Sequence, residues 1–322
     1  MDVDRLGMTI PFDGVPLAAQ RRLIEQLADL GYTDVWSAEI NGADAFTPLA
    51  LAAVWAPALR LGTAIVPAFT RGPATIAQSA ASLAQAAPGR FVLGVGTSSN
   101  VIVEAWNGIP FERPYQRTRD VVRFLRAALA GEKVSEEYET FSVSGFVLGL
   151  TLDEPVPILI AALREGMLRL AGREGDGAIV NWLSADDVRR VAPIVQRAGD
   201  GPYKEIVARI FVAPIADPDT ARAIGRRAIA AYLNVPVYAA FHEWLGRGDR
   251  LGGMWSRWRA GDRKGALAAI SDDLVDELVV WGTPDACREH IERYRAKGVN
   301  TPMVALLPGA DPAQAIRDLA PR

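Results

Sequence analysis

Residues 90–100 read RFVLGVGTSSN. The apolar run 91–95 has the character of a buried strand, and it ends in Gly94-x-Gly96 followed by Thr97, Ser98 and Ser99. A strand that runs into glycines and hydroxyls resembles the approach to a phosphate-binding turn. The dinucleotide fingerprint G-x-G-x-x-G needs a third glycine where Ser99 stands, and an acidic residue about 20 positions further on. Neither is present, so the fold is decided by how many strands flank this one.

Upstream, residues 6–12, 34–39 and 61–66 read as strands. Each precedes a helical pattern: Leu17, Ile24 and Leu27 before the stop at Gly31, then FTPLALAAVWAP, then PATIAQSAASLAQAAPG with Ile76, Ala80, Leu83 and Ala87 on one stripe. Downstream, the helix PYQRTRDVVRFLRAALAG closes at Gly131, and residues 158–161, 178–180, 206–212 and 302–307 are four further strands. A helix around residues 167–172 follows the fifth strand, Ser184-x-x-Asp187 caps the next helix, Thr283-Pro284 starts another ending at Gly298, and DPAQAIRDLA closes the chain. Two segments stand outside the alternation. Residues 133–155, with Tyr138, Phe141, Val143 and Phe146, predict a hairpin, and residues 217–280, with Trp244, Trp255 and Trp258, predict a helical insertion. Eight strands each followed by a helix predict an α/β chain of one domain over residues 1–322, a single (β/α)8 TIM barrel with insertions after strands four and seven. Functional groups then belong at the C-terminal strand ends.

Composition narrows the chemistry. Half of the 322 residues are apolar, enough for a large core, and a net charge of −3 provides no basic footprint, so no nucleic-acid partner is expected. Neither a leader pattern nor an apolar run long enough to span a bilayer is seen, which predicts a cytoplasmic protein without a membrane partner. The single cysteine, Cys287, lies in the helical stretch TPDACREHIERY and reads as an ordinary packed thiol.

The predicted strand ends carry Pro11 and Phe12, Glu39 and Asn41, residues 64–67, Thr97 to Asn100, then Ala162, Leu163 and Arg164, then Asn181 and Trp182. No histidine is among them, so a zinc hydrolase is excluded and no metal is expected. His242-Glu243 fails the zincin pattern because Gly246 occupies the second histidine position. GTSSN lacks the second glycine of a nucleophile elbow, and Lys133, Lys204, Lys264 and Lys297 fall in predicted loops or surface helices, which excludes a barrel Schiff base. With so few acid and base groups, an organic cofactor must bring the reactivity. At GVGTSSN two readings stand side by side: amides and hydroxyls that hold an anion or ring carbonyl, or a glycine-lined strand exit with capping hydroxyls.

Residues 60–120 (RLGTAIVPAFTRGPATIAQSAASLAQAAPGRFVLGVGTSSNVIVEAWNGIPFERPYQRTRD), 156–184 (VPILIAALREGMLRLAGREGDGAIVNWLS) and 279–304 (VVWGTPDACREHIERYRAKGVNTPMV) together resemble the luciferase-like monooxygenase superfamily, in the branch that uses the deazaflavin coenzyme F420. The resemblance implies the same barrel, with the cofactor ring in its mouth against a bulge at the end of strand three, built on a non-prolyl cis peptide at Ala64-Ile65. It implies a polar group beside the ring at Glu39, which either passes a proton or orients substrate, or makes a structural hydrogen bond. Cofactor phosphate and tail would meet Thr97, Ser98 and Ser99 and the run Ala162, Leu163, Arg164, Glu165, Gly166 and Met167, the last opening a helix whose amides suit an anion. Many relatives have Gly-Pro-Lys where Arg164-Glu165-Gly166 stands, so Arg164 either replaces the lysine or is a solvated arginine.

The sugar-phosphate dehydrogenases of the branch carry an aspartate-histidine pair after strand two and basic residues for the substrate. Here Ile40 follows Glu39 and Trp182 stands at the strand-six exit, which favours a small non-phosphorylated substrate. The function implied is hydride exchange between deazaflavin C5 and such a substrate. Alternatives are an FMN monooxygenase using dioxygen and a separate reductase, or a cofactor-binding barrel without turnover. The 217–280 insertion serves either as a lid or as its own core, and the apolar second and third helices leave room for a homodimer, though core burial accounts for them equally.

Overall fold

A computed structural model describes residues 4–201 and 203–321. Its parallel strands are β1 (Gly7–Ile10), β2 (Asp34–Ser37), β3 (Arg60–Thr63), β4 (Phe91–Gly96), β5 (Ile158–Ala161), β6 (Gly177–Asn181), β7 (Glu205–Ala213) and β8 (Thr301–Leu306), each paired with the next. The pairing of β8 with β1, Gly7 opposite Met303, closes the ring. All six residues of β4 are buried, because one face meets the barrel interior and the other the helical layer, which is why the strand reads as an unbroken apolar run.

The outer layer comprises α1 (Arg21–Asp29), α2 (Phe46–Trp55), α3 (Pro73–Ala86), α4 (Pro114–Leu129), α5 (Glu165–Glu174) and α6 (Val188–Ala198). The apolar residues of α2 and α3 that raised the question of a subunit interface mostly serve the core: Leu49, Ala52, Ile76, Ala80 and Leu83 are all buried. Ser184 and Asp187 exchange hydrogen bonds, Ser184 N to Asp187 Oδ2 at 2.7 Å and Asp187 N to Ser184 Oγ at 3.3 Å, in the turn before α6.

Strand three differs from the expectation. The run 61–66 is not continuous, because β3 stops at Thr63, the Ala64–Ile65 peptide is cis, and only Val66–Pro67 rejoins the sheet beside β4. Gly62 pairs with Val92 and Val66 with Val95, so three residues oppose two and the chain bulges. A second cis peptide, Ile10–Pro11, ends β1 two residues before the predicted limit.

Trp36 of β2 fills the barrel interior, fully buried with Val92, Leu159, Val207 and Met303. Gly62 makes room for it, since a β-carbon there would come within 2.1 Å of the indole. Below, at the N-terminal strand ends, Asp34, Arg60 and Glu205 form a charge network, with Arg60 Nη2 2.5 Å from Glu205 Oε1 and Arg60 Nε bonded to Asp34. This end serves stability and leaves the opposite end for chemistry.

The first insertion is the expected hairpin, Val134–Glu137 antiparallel to Ser142–Phe146, packed on Phe124 of α4 through Phe141 and Phe146. The second contains α7 (Pro218–Leu233), α8 (Pro236–Trp244), α9 (Gly248–Arg259), α10 (Arg263–Ala268) and α11 (Asp272–Leu278). It is followed by a short strand, Val280–Trp281, along β7, then by α12 (Pro284–Arg295), β8 and α13 (Pro312–Asp318). Leu233, Leu251, Met254, Ile270 and Leu274 give α7 and α9–α11 their own core, on which Trp255 and Trp258 pack, while Phe241 of α8 joins the barrel core. The insertion thus has its own core, and its α7–α8 corner and Trp244 also border the barrel mouth.

Candidate functional site

At the C-terminal end of the barrel lies a cavity of about 780 Å³, within the range of cofactor and ligand pockets. The catalytic and cofactor candidates line it, Glu39 beyond β2, Ala64 and Ile65 in the bulge, Thr97, Ser98 and Ser99 beyond β4, and Ala162, Leu163, Arg164, Gly166 and Met167 beyond β5, whereas the strand-end residues Pro11, Phe12 and Asn41 do not. The structure thus brings together on one surface groups from four parts of the chain.

The glycines of GVGTSSN have a packing origin. A β-carbon on Gly94 would lie 2.0 Å from the carbonyl oxygen of Thr63, and one on Gly96 would lie 2.7 Å from Ala161 Cβ and 3.3 Å from Ile65. They let the bulge seat against β4 and β5. The hydroxyls divide. Ser99 caps the following π-helical turn Val101–Trp106, its Oγ accepting from Ile102 N at 3.4 Å and its carbonyl from Val103 N at 2.9 Å. Thr97 donates to the Ser98 carbonyl at 3.1 Å. Ser98, half-buried and left-handed with φ 63°, has no hydrogen-bond partner for its hydroxyl among the described residues. Capping is therefore correct for Ser99, and Ser98 is the hydroxyl left open.

Helix α5 points its N-terminus at the same cavity. Leu168 N is the first amide with an intrahelical acceptor, Arg164 O at 2.9 Å, and no side chain caps the residues before it. The amides of Glu165, Gly166 and Met167 are thereby available to an anion. Nothing lies within 4 Å of a β-carbon built on Gly166, so a ligand can reach the backbone. Arg164 is exposed on the rim, and Glu165 is engaged by Arg169 at 2.5 Å.

Glu39 is not a free carboxylate. Arg71 grips it with Nε at 3.1 Å from both oxygens and Nη2 at 2.9 Å from Oε2, while Ala45 N donates at 3.2 Å. The hydrogen bonds to Glu39 raise the Arg71 pKa against the opposing effect of burial. Arg71 was not picked out by sequence reasoning, because it lies in a loop 32 residues away.

The opposite wall holds three polar groups, of which only Asn181 was anticipated as a strand-end residue. Arg209 of β7 stands in register between Asn181 of β6 and Met303 of β8. Tyr238 of α8 receives a hydrogen bond from Asn181 Nδ2 at 3.1 Å. All four line the cavity. Trp182, by contrast, does not. Its left-handed backbone, φ 53°, turns the indole out of the mouth, where it stacks on Phe211 at 4.0 Å within the insertion's core. Trp182 therefore does not shape the pocket, contrary to its place after strand six.

His242 is fully buried, and burial lowers its pKa to about 3, consistent with a packing role. Among the described residues no group of three or more histidines, cysteines or carboxylates is gathered as metal ligands, and no helix is long and apolar enough to cross a membrane. The cavity does suit a planar organic cofactor. It offers an apolar platform at Ala64 and Ile65, an unpartnered hydroxyl at Ser98, and a helix N-terminus with approachable amides.

The luciferase-like monooxygenase family model matches residues 4–301. The chain is 28% identical over 320 residues to 5,10-methylenetetrahydromethanopterin reductase of Methanolobus tindarius, covering 96% of this chain and 95% of that one. In structure it is similar to the coenzyme F420-dependent tetrahydromethanopterin reductase of Methanopyrus kandleri, with a TM-score of 0.83 and 21% identity over 98% of this chain and 97% of that one. It is also similar to the FMN-bound oxygenating constituent of 3,6-diketocamphane monooxygenase from Pseudomonas putida, with a TM-score of 0.67 and 15% identity over 99% and 97%. At these identities the two structural likenesses speak for the fold alone. With the family model spanning nearly its whole length, the chain belongs to the luciferase-like monooxygenase family.

Proposed function

We propose that this protein is an oxidoreductase that binds coenzyme F420 in the barrel mouth and exchanges a hydride with a small organic substrate. The observation that carries the reading is one cavity that unites the Ala64–Ile65 platform with the open amides of α5 and the Ser98 hydroxyl. The sequence similarity to a reductase over nearly the whole chain supports it.

When bound, the deazaflavin supplies hydride exchange at C5. The chain's own residues bind and orient. Ala64 and Ile65 back the ring, the amides of residues 165–167 and the hydroxyls of Thr97 and Ser98 hold the phosphate and tail, and Arg164 adds a rim charge. Ser99 acts through the turn that it caps, and Ala162, Leu163 and Met167 wall the tail. Glu39, clamped by Arg71, is a fixed carboxylate at the mouth that orients substrate more readily than it exchanges a proton. The apolar walls exclude water from the reacting carbon.

Titrating the purified protein with F420 and with FMN, followed by cofactor fluorescence, tests the reading. Saturable F420 binding is expected. The same anion seat suits the FMN phosphate, so tight FMN binding with none of F420 would transfer the protein to the oxygenase reading. F420 binding with no oxidation of the reduced form across a broad panel of electrophiles would favour a carrier.

A further inference from the structure

In a closed ring of eight strands, β3 and β7 are four apart and face one another across the mouth. A ring backed by Ala64 and Ile65 therefore turns its other face toward Arg209. Among the described residues the Arg209 guanidinium has no ion pair and no hydrogen bond. Its Nε is buried without a partner, and its Cζ lies 5.2 Å from the centroid of the Phe211 ring. The rest of this half-buried guanidinium opens onto the cavity with no counter-ion among the described residues, and the place of that unpaired charge describes its ligand.

Two neighbours sharpen that description. Asn181 donates to the Tyr238 oxygen, which leaves the phenol proton free to donate in turn, and Asn181 Oδ1 is buried without a partner. Burial pushes the Tyr238 phenol up to about 12, so it stays a donor. Of the other charged side chains on the cavity, Glu39 is held by Arg71 and Glu165 by Arg169, and Arg164 lies on the α5 rim. No lysine or histidine lines the cavity. A single guanidinium fork with one hydroxyl donor beside it matches a planar monoanion in geometry and charge, whereas a phosphate dianion calls for more cations.

We propose that Arg209 and Tyr238 form a carboxylate-binding subsite, with Asn181 fixing the phenol oxygen, and that the substrate of this protein is an organic acid anchored there by its carboxylate. Its placement opposite the ring rests on the cofactor reading above; the anion subsite itself does not. The carboxylate end sits against β6 and β7, and the carbon that exchanges hydride lies between that end and the Ala64–Ile65 platform.

The test measures binding, by calorimetry, of matched carboxylates and carboxamides (phenylacetate and phenylacetamide, cinnamate and cinnamamide, hexanoate and hexanamide) and of inorganic phosphate. Wild type, Arg209→Met and Arg209→Lys are compared, each with and without F420, and folding is checked by thermal unfolding. The wild type should prefer the carboxylate of at least one pair by about tenfold or more, Arg209→Met should reduce the preference to about twofold or less, and Arg209→Lys should keep part of it. F420 affinity should change by no more than about threefold in either variant. Equal binding of acid and amide in every pair overturns the proposal. So does phosphate binding more tightly than any carboxylate in an Arg209-dependent way, or loss of F420 affinity in Arg209→Met with the acid preference intact. If wild type fails to bind F420 while the acid preference and its Arg209 dependence remain, the cofactor reading falls and the subsite stands.

Discussion

Thr63 Oγ1 accepts a hydrogen bond from Gly94 N at 2.7 Å and donates to Gly94 O at 2.9 Å, so one hydroxyl stands in for a missing rung of the sheet. The bulge lifts the β3 backbone away from β4 at this point, and the buried amide and carbonyl of Gly94 would otherwise go unpaired. Thr63 is fully buried. Thr63→Val keeps the shape and removes both bonds, and should destabilise the protein by about 2–4 kcal/mol, whereas Thr63→Ser should stay within about 1 kcal/mol of wild type. Urea unfolding measures both. A valine variant as stable as wild type would show that the rung carries nothing.

Gly166 separates binding from folding. Because a β-carbon there meets open space, Gly166→Ala should leave stability unchanged or raise it by about 0.5–1 kcal/mol through helix propensity. The same methyl group stands over the open amides of α5, so F420 affinity should fall by about tenfold or more. An alanine variant that binds F420 as wild type does would remove the α5 terminus from the cofactor seat.

The Glu39–Arg71 clamp should behave as one unit. Their side chains are 18% and 24% exposed, so the pair is only partly screened, and a double-mutant cycle with Glu39→Gln and Arg71→Met should give a coupling of about 1–2 kcal/mol in stability. Turnover of reduced F420 should drop by a similar factor in each single variant, with the double variant no worse. Independent, additive losses would mean that Glu39 acts without its clamp.

Acid sensitivity should originate at the floor of the barrel. Burial acts to raise the Glu205 pKa, but the hydrogen bonds and charge of Arg60, helped by Thr301, outweigh it and hold the carboxyl below its ordinary value of 4.5. A carboxylate lowered by folding contributes stability above its unfolded pKa and loses it as pH falls through the native value. Stability should therefore fall on acidification below about pH 4.5, and Glu205→Gln, about 2–4 kcal/mol weaker at neutral pH, should show a shallower fall. Unfolding midpoints measured from pH 7 down to about pH 3 decide it; equal slopes in the two proteins would place the acid lability elsewhere.

The eight strands were legible because segments buried on both faces read as unbroken apolar runs, and the segments between them showed helical apolar spacing and glycine stops such as Gly31 and Gly131. The break at Ala64–Ile65 left no mark of that kind, since both residues are apolar and continue the strand pattern. The family resemblance, not the periodicity, located it. Trp182 was misplaced because position after a strand does not report backbone handedness, and a left-handed residue sends its side chain to the other side. Arg209 did leave a signal. In IVARIFVAP a charge interrupts a buried strand two residues beyond Val207, which faces the interior, so alternation alone places the guanidinium inward. Tyr238 gave none, since its position depends on how α7 and α8 pack above the rim, an arrangement made by tertiary contacts.

The mouth is divided along its diameter. One half, the bulge with the β4 and β5 exits, is integral to the barrel, whereas the other is bordered by the α7–α8 corner, where α7 packs in a separate core that reaches the rim through Trp182, Phe211, Ala305 and Leu307 while α8 sets Phe241 into the barrel core. The bulge and the α5 N-terminus draw none of their residues from that second core. Within this architecture the two sides of the mouth rest on different packing units, and a graft of residues 217–280 between relatives would have to carry across the contacts of Arg247 with Asp187 and of Trp244 with Arg190.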